Sequence, residues 1–121
     1  MADMKVGFVV THAADDPEMA TLPFMLATGA LAMGVAPVLI LQADGVALAV
    51  PGGAEAVVCD GLAPLADLLK GLLAAGVRIM VCSPCMSRRG ITEQMLLDGC
   101  YVGGAGQVVT EMLECENFLR Y

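Results

Sequence analysis

Short apolar runs alternate along this chain with longer apolar stretches at helical spacing. Residues 5–11, Lys-Val-Gly-Phe-Val-Val-Thr, are rich in valine and end in the polar loop His12-Ala13-Ala14-Asp15-Asp16. That pattern predicts a buried strand. Asp16-Pro17-Glu18 then supplies a cap, a proline at the first helical position and an acid in the first turn, so a helix is expected to about residue 33. The helix has almost no polar face, because Met19, Leu22, Phe24, Met25, Leu26, Leu31 and Met33 point around the cylinder. A helix apolar all round is covered on all sides, and in so small a domain the cover is expected from a second subunit.

Residues 37–41 read as a second strand, 43–50 as a short helix, and Pro51-Gly52-Gly53 as a break. Leu62, Leu65, Leu68, Leu69, Leu72 and Leu73 repeat at helical spacing over 62–75, and Gly76 stops them. Residues 77–82 are a third strand, and Ser83-Pro84 opens another helix with Ser83 as its cap. A short strand and turn over 99–104, a helix over 108–113 and a last strand over 116–121 complete the chain. Strands alternating with helices imply a parallel sheet covered on both faces. The expectation is one three-layer α/β/α domain over residues 1–121, flavodoxin-like, with a mainly parallel sheet of about five strands.

Composition tests that picture in two places. Apolar residues make up 58% of the 121 positions and charged residues 16%, and no charge occurs between Met19 and Ala43. That stretch is long enough to span a bilayer. Pro23, Gly29, Gly34 and Pro37 punctuate it, however, and Gly34-Val35-Ala36-Pro37 reads as a helix stop followed by a strand. No membrane span is expected. The N-terminal Met1-Ala2-Asp3-Met4-Lys5 lacks the long apolar region of a signal peptide, so a cytoplasmic protein is expected. The net charge of −7 leaves no basic stripe for nucleic acid and disfavours anionic membranes. Five cysteines, an odd number, fit free thiols better than a disulfide framework.

A parallel sheet with crossover helices gathers its strand C-termini on one edge, where such folds place their sites. Two loops there are chemically loaded. One carries His12, Asp15 and Asp16; the other runs Cys82-Ser83-Pro84-Cys85-Met86-Ser87-Arg88-Arg89-Gly90. Cys82 sits just before a helix and Cys85 in its first turn, where unpaired amides and the positive helix end favour a thiolate. Two of the six basic residues, Arg88 and Arg89, stand within two turns of it. Both effects are expected to depress the Cys82 pKa, and the thiolate is the nucleophile. Cysteine is also a good core filler, and Cys59 and Cys100 are read that way. A structural zinc site wants two CxxC pairs where this chain has one, so no metal and no cofactor are expected. His12 is either a base for Cys82 or a solvated loop histidine, and Asp15 and Asp16 are taken as helix-cap residues.

Cys82 followed by Arg88-Arg89-Gly90 resembles the DsrE/DsrF-like family of small sulfur-handling proteins, which includes the TusD sulfurtransferases. The opening strand, Asp44-Gly45-Val46, the Gly103-Gly104-Ala105-Gly106 turn and Glu114-Cys115-Glu116 extend the resemblance over nearly the whole chain. It implies a DsrEFH-like fold and a persulfide carried on Cys82; Arg88, Arg89 and His12, expected near that thiol from their place in the two loops, are taken as substrate-binding. It further implies sulfur donor and acceptor proteins or small thiols as partners, and a homotrimer or homohexamer. Cys85 stands where sulfur-relay members have another residue. The function expected is a sulfurtransferase or sulfur carrier with Cys82 and Cys85 as catalytic residues. The alternatives are a dithiol–disulfide redox protein using the same pair, or a non-catalytic subunit of such an assembly.

Overall fold

The computed structural model describes residues 3–121; Met1 and Ala2, part of the segment read for a signal peptide, lie outside the described residues. The elements run β1 (Lys5–Val10), α1 (Pro17–Ala32), β2 (Ala36–Leu41), a 3-10 segment (Ala43–Ala49), α2 (Leu65–Ala74), β3 (Ile79–Cys82), α3 (Ser83–Arg88), a 3-10 turn (Glu93–Met95), β4 (Cys100–Gly103), α4 (Ala105–Glu114) and β5 (Asn117–Arg120). The five strands form one sheet in the order β4-β3-β2-β1-β5, and every pair is parallel. The expected α/β architecture is the one observed.

The strands alternate between two cores, as the two-residue period of a strand demands. Phe8, Val10, Leu39, Leu41, Ile79 and Val81 face α1 and α2 and join Phe24, Ala27, Leu65, Leu69 and Leu72 in the main core. Val9, Ile40 and Met80 face the other way, against Val108 of α4 and the rings of Tyr101 and Phe118. Both faces of the central strands are therefore apolar, which is why they read as continuous hydrophobic runs. Connections from β1 to β4 step in one direction across the sheet, and α1, α2 and α3 lie on one face. The return from β4 to β5 crosses the whole sheet in the opposite direction. Right-handed crossover then puts α4 on the opposite face.

Element ends differ from expectation for local reasons. Pro64 holds an extended ψ of 130° and becomes the cap of α2, so this helix begins at Leu65 and Leu62 falls in the preceding turn. The third strand begins at Ile79, two residues late, and the last is confined to Asn117–Arg120. The fourth helix begins three residues early because Gly104 caps it, with its amide donating to Gln107 Oε1 at 2.8 Å. α1 continues through Pro23, which is buried in it.

The apolar surface of α1 is only partly covered within the single chain. Ala20, Thr21, Pro23, Phe24 and Ala27 are buried, but Met25, Leu26, Leu31 and Met33 are exposed in the single chain. The chain by itself covers one side of the helix, not all of it. Among the described residues, no helix is long and apolar enough to cross a membrane.

Candidate functional site

Cys82 ends β3 and caps α3. With φ −65° and ψ 118° it is the N-cap residue, so Ser83 and Pro84 occupy the first two helical positions and Cys85 the third. The expected assignment of Ser83 as cap is off by one. The shift matters, because an N-cap side chain points back at the first free amides of its helix. Pro84 has no N–H to offer, which leaves the Cys85 amide as the donor that stabilises a Cys82 thiolate. Cys82 is partly buried, as is Cys85, whereas Met86 on the same helix is sunk into the main core.

The place of Cys82 in the sheet explains why a hollow opens beside it. Cys82 pairs with Gly103 of β4, and the two strands send their chains to opposite faces. The chain after β3 turns toward the α1 face as α3, while the chain after β4 turns away as α4. Open parallel sheets form crevices where adjacent connections diverge in this manner. A cavity of about 230 Å³ lies there, walled by Cys82, Gln42, Pro84, Gly103, Gly104 and Val108. Gly103 has no room for a side chain, since a Cβ would come within 2.4 Å of Met80. Ala105, at the start of α4, also lines the cavity, so the N-terminal end of a second helix borders the same space.

The Cys82 pKa is raised, not depressed. Burial is the largest cause, the neighbouring Cys85 thiol adds to it, and the Cys85 amide and Arg89 charge pull only partly the other way. The stabilising groups expected from the sequence are present, but desolvation of a half-buried sulfur outweighs them.

Arg88 and Arg89 part company. Arg88 is exposed at the end of α3. Arg89 folds back, its Nη1 donating to the Cys85 carbonyl at 3.2 Å, while Nη2 and Nε reach Asp44 Oδ1 at 2.9 and 3.3 Å. It thereby ties the first turn of α3 to the 3-10 segment after β2. That segment can approach because Gly45 has no side chain: a Cβ there would lie 2.1 Å from the Val10 carbonyl oxygen. Asp44 was not singled out from the sequence as a site residue. The available signal was its isolation, as the one charged residue between Glu18 and Glu55.

His12 occupies the loop after β1 and pairs through Nδ1 with Asp15 Oδ2 at 2.7 Å. Asp15 also accepts from the Ala13 amide at 2.7 Å, so it organises this loop and does not cap α1. The cap is Asp16, which accepts from Met19 N at 3.3 Å. The Asp15 hydrogen bond raises the His12 pKa and His12 in turn lowers that of Asp15. A second hollow of about 300 Å³ lies between these loops, walled in part by Asp15, Asp44 and Arg89. The edge therefore holds two neighbouring hollows, with Cys82 lining one and Arg89 the other.

Cys100 and Cys115 lie apart from this edge. Cys100 begins β4 opposite Ile79, and burial pushes its thiol up to about 11. Cys115 precedes β5 at the other end of the sheet, and burial raises its pKa too. All five cysteines are unpaired, and no group of three potential metal ligands occurs among the described residues.

Comparison with known proteins agrees with this architecture. The chain is 36% identical over 95 residues to the uncharacterized protein MJ0760 of Methanocaldococcus jannaschii; the match covers 78% of this chain and 34% of that protein. The chain thus spans about a third of the length of that relative. A second uncharacterized protein of the same organism, MJ0989, is 26% identical over 118 residues, with 98% of this chain and all of that one covered. Among solved structures, the YchN protein of E. coli superposes with a TM-score of 0.81 at 22% identity, covering 98% of this chain and 99% of the other. MTH1491 of Methanobacterium thermoautotrophicum, a protein of unknown function, gives 0.77 at 20% identity, covering 97% and 99%. These two likenesses carry the fold. The profile of the DsrE/DsrF-like family matches residues 4–121, and the chain belongs to that family.

Proposed function

We propose that this protein is a sulfur carrier that holds sulfane sulfur as a persulfide on Cys82. The observation that supports it best is the setting of the thiol. Cys82 is the N-cap of α3, opens onto a cavity where two strand connections diverge, and has the Cys85 amide available to its anion. The Cys82 thiolate attacks the outer sulfur of a donor persulfide, giving Cys82 persulfide and releasing the donor thiolate with the broken S–S bond's electron pair. An acceptor thiolate takes the sulfur by the same step in reverse. Arg89 supplies positive potential to the bound anion. Arg88 and His12, on the rims of the same edge, contact the donor or acceptor.

Incubation with a sulfane-sulfur donor, followed by intact-mass measurement, tests the proposal. Cys85→Ser, which lacks a neighbouring thiol to remove the sulfur, should gain the mass of one sulfur atom and Cys82→Ser should gain none. Equal gain by both proteins rejects the mechanism.

We further propose that copies of the chain associate through α1. Its exposed Met25, Leu26 and Met33 flank an apolar groove of about 460 Å³ that continues onto Leu119 of β5. A homotrimer or homohexamer would cover this face, and the cytoplasm is the compartment that suits unpaired thiols.

A further inference from the structure

We infer that Cys85 is the resolving thiol of Cys82: it attacks a persulfide formed there, expels hydrosulfide and closes a Cys82–Cys85 disulfide. This rests on the proposed Cys82 persulfide and makes the protein a sulfane-sulfur reductase when no acceptor is bound.

The placement of the two residues carries the inference. An N-cap residue and the third helical residue are about 5 Å apart at Cα on helical geometry. That lies inside the separation a disulfide accepts, about 4.4–6.8 Å. Both thiols pack at the edge of the main core yet stay partly exposed, whereas Met86 beside them is buried in it, so both sulfurs remain accessible. The Cys85 side chain is near enough to raise the Cys82 pKa. Arg89 holds the Cys85 carbonyl and is itself held by Asp44, so the turn bearing both thiols is tied in place. Closure then needs rotation of side chains and no unwinding of α3.

No other thiol shares a helical turn with Cys82. Cys100 sits opposite Ile79, three residues before Cys82, which is roughly 10 Å along the strand. Cys115 lies at the other end of the sheet, and Cys59 in the loop before α2.

The chemistry balances. The Cys85 thiolate attacks Cys82 Sγ, the inner sulfur of the persulfide. The bond between inner and outer sulfur breaks, and its electron pair leaves with the outer sulfur as hydrosulfide. The sulfane sulfur is reduced to sulfide, and the two cysteine sulfurs are oxidised to the disulfide. A small dithiol reductant resets the pair by exchange and becomes a disulfide itself.

The test uses the reduced full-length chain, pulsed with polysulfide and desalted before reductant is added. Released sulfide is quantified, and thiol states are mapped by peptide mass. Wild type should release sulfide stoichiometrically and end with Cys82 linked to Cys85. Cys85→Ser should keep the added sulfur on Cys82 and release no more sulfide than Cys82→Ser. A wild type that keeps its persulfide overturns the resolving role and leaves the carrier function standing, as does undiminished sulfide release from Cys85→Ser. Equal sulfur loading of Cys82→Ser and Cys85→Ser rejects the carrier function itself. Mapping on wild type alone decides the linkage, whatever the folding of either variant.

Discussion

Cys82 occupies the position where serine or aspartate usually caps a helix; its side chain closes no cap hydrogen bond, and the Cys85 amide, the third of the helix, favours only its anion. What the residue gains from that amide it loses to burial. Its pKa lies above the ordinary 9.0, so the reactive thiolate grows as pH rises and is not complete at neutrality. Alkylation of Cys82 should therefore accelerate about tenfold per pH unit through neutrality and level off only above that value. Peptide-resolved rates with iodoacetamide check this, and a plateau below neutral pH would refute it. His12 shifts in the same direction for a different reason, its hydrogen bond to Asp15. An NMR titration should place its pKa above 6.5, and Asp15→Asn should bring it back toward that value. The pairing of His12 with Asp15 was not legible in the sequence, because three-residue spacing in a loop also fits a helix cap. The cysteine itself was legible: an apolar strand followed by Ser-Pro identifies a helix start, and only the identity of the cap was off by one.

Two glycines do at the level of elements what no side chain could. Gly103 lets β4 end against Met80 beside Cys82, and Gly45 brings the 3-10 segment against the end of β1. The close approach at Gly45 is to backbone, which cannot swing aside. Gly45→Ala should cost about 1–3 kcal/mol of stability, as overpacked interiors do. A denaturant-unfolding midpoint measures it, and a shift within error would show that the segment relaxes freely. Because Asp44 precedes Gly45, the same substitution should loosen Arg89 and with it the first turn of α3. The Arg89–Asp44 pair is itself partly exposed and contributes at most about 1 kcal/mol, so its value is positional. The identities of the five strands and four α-helices were readable from apolar patterning and cap signals, whereas the 3-10 turn Glu93–Met95 was not. Their ends were not, because Pro64 and Gly104 act as caps through backbone geometry and not through the side-chain oxygens that mark a cap in sequence.

Across the whole molecule, α1 and β5 leave Met25, Leu26, Met33 and Leu119 bare at one side of the sheet. If copies of the chain cover this face, Leu26→Asp with Met33→Glu should convert the oligomer to monomer in sedimentation velocity, while the secondary structure persists. An unchanged sedimentation coefficient would place the contact elsewhere. The apolar excess that looked like a membrane question is thus divided between a two-sided sheet and this face. The sequence by itself determined the α/β class, the number of strands and the cysteine at the C-terminal edge of the sheet, because periodicity, prolines and glycines act within a few residues of themselves. Only the tertiary structure decided that Arg89 belongs to Asp44, that Arg88 faces solvent, and that Cys82 lines one hollow and Arg89 another. Those facts depend on which way each crossover turns and on how deeply one sulfur is buried. Desolvation and cross-loop charge pairs are set by neighbours distant in sequence, which is why the Cys82 pKa rises where its local motif predicts a fall.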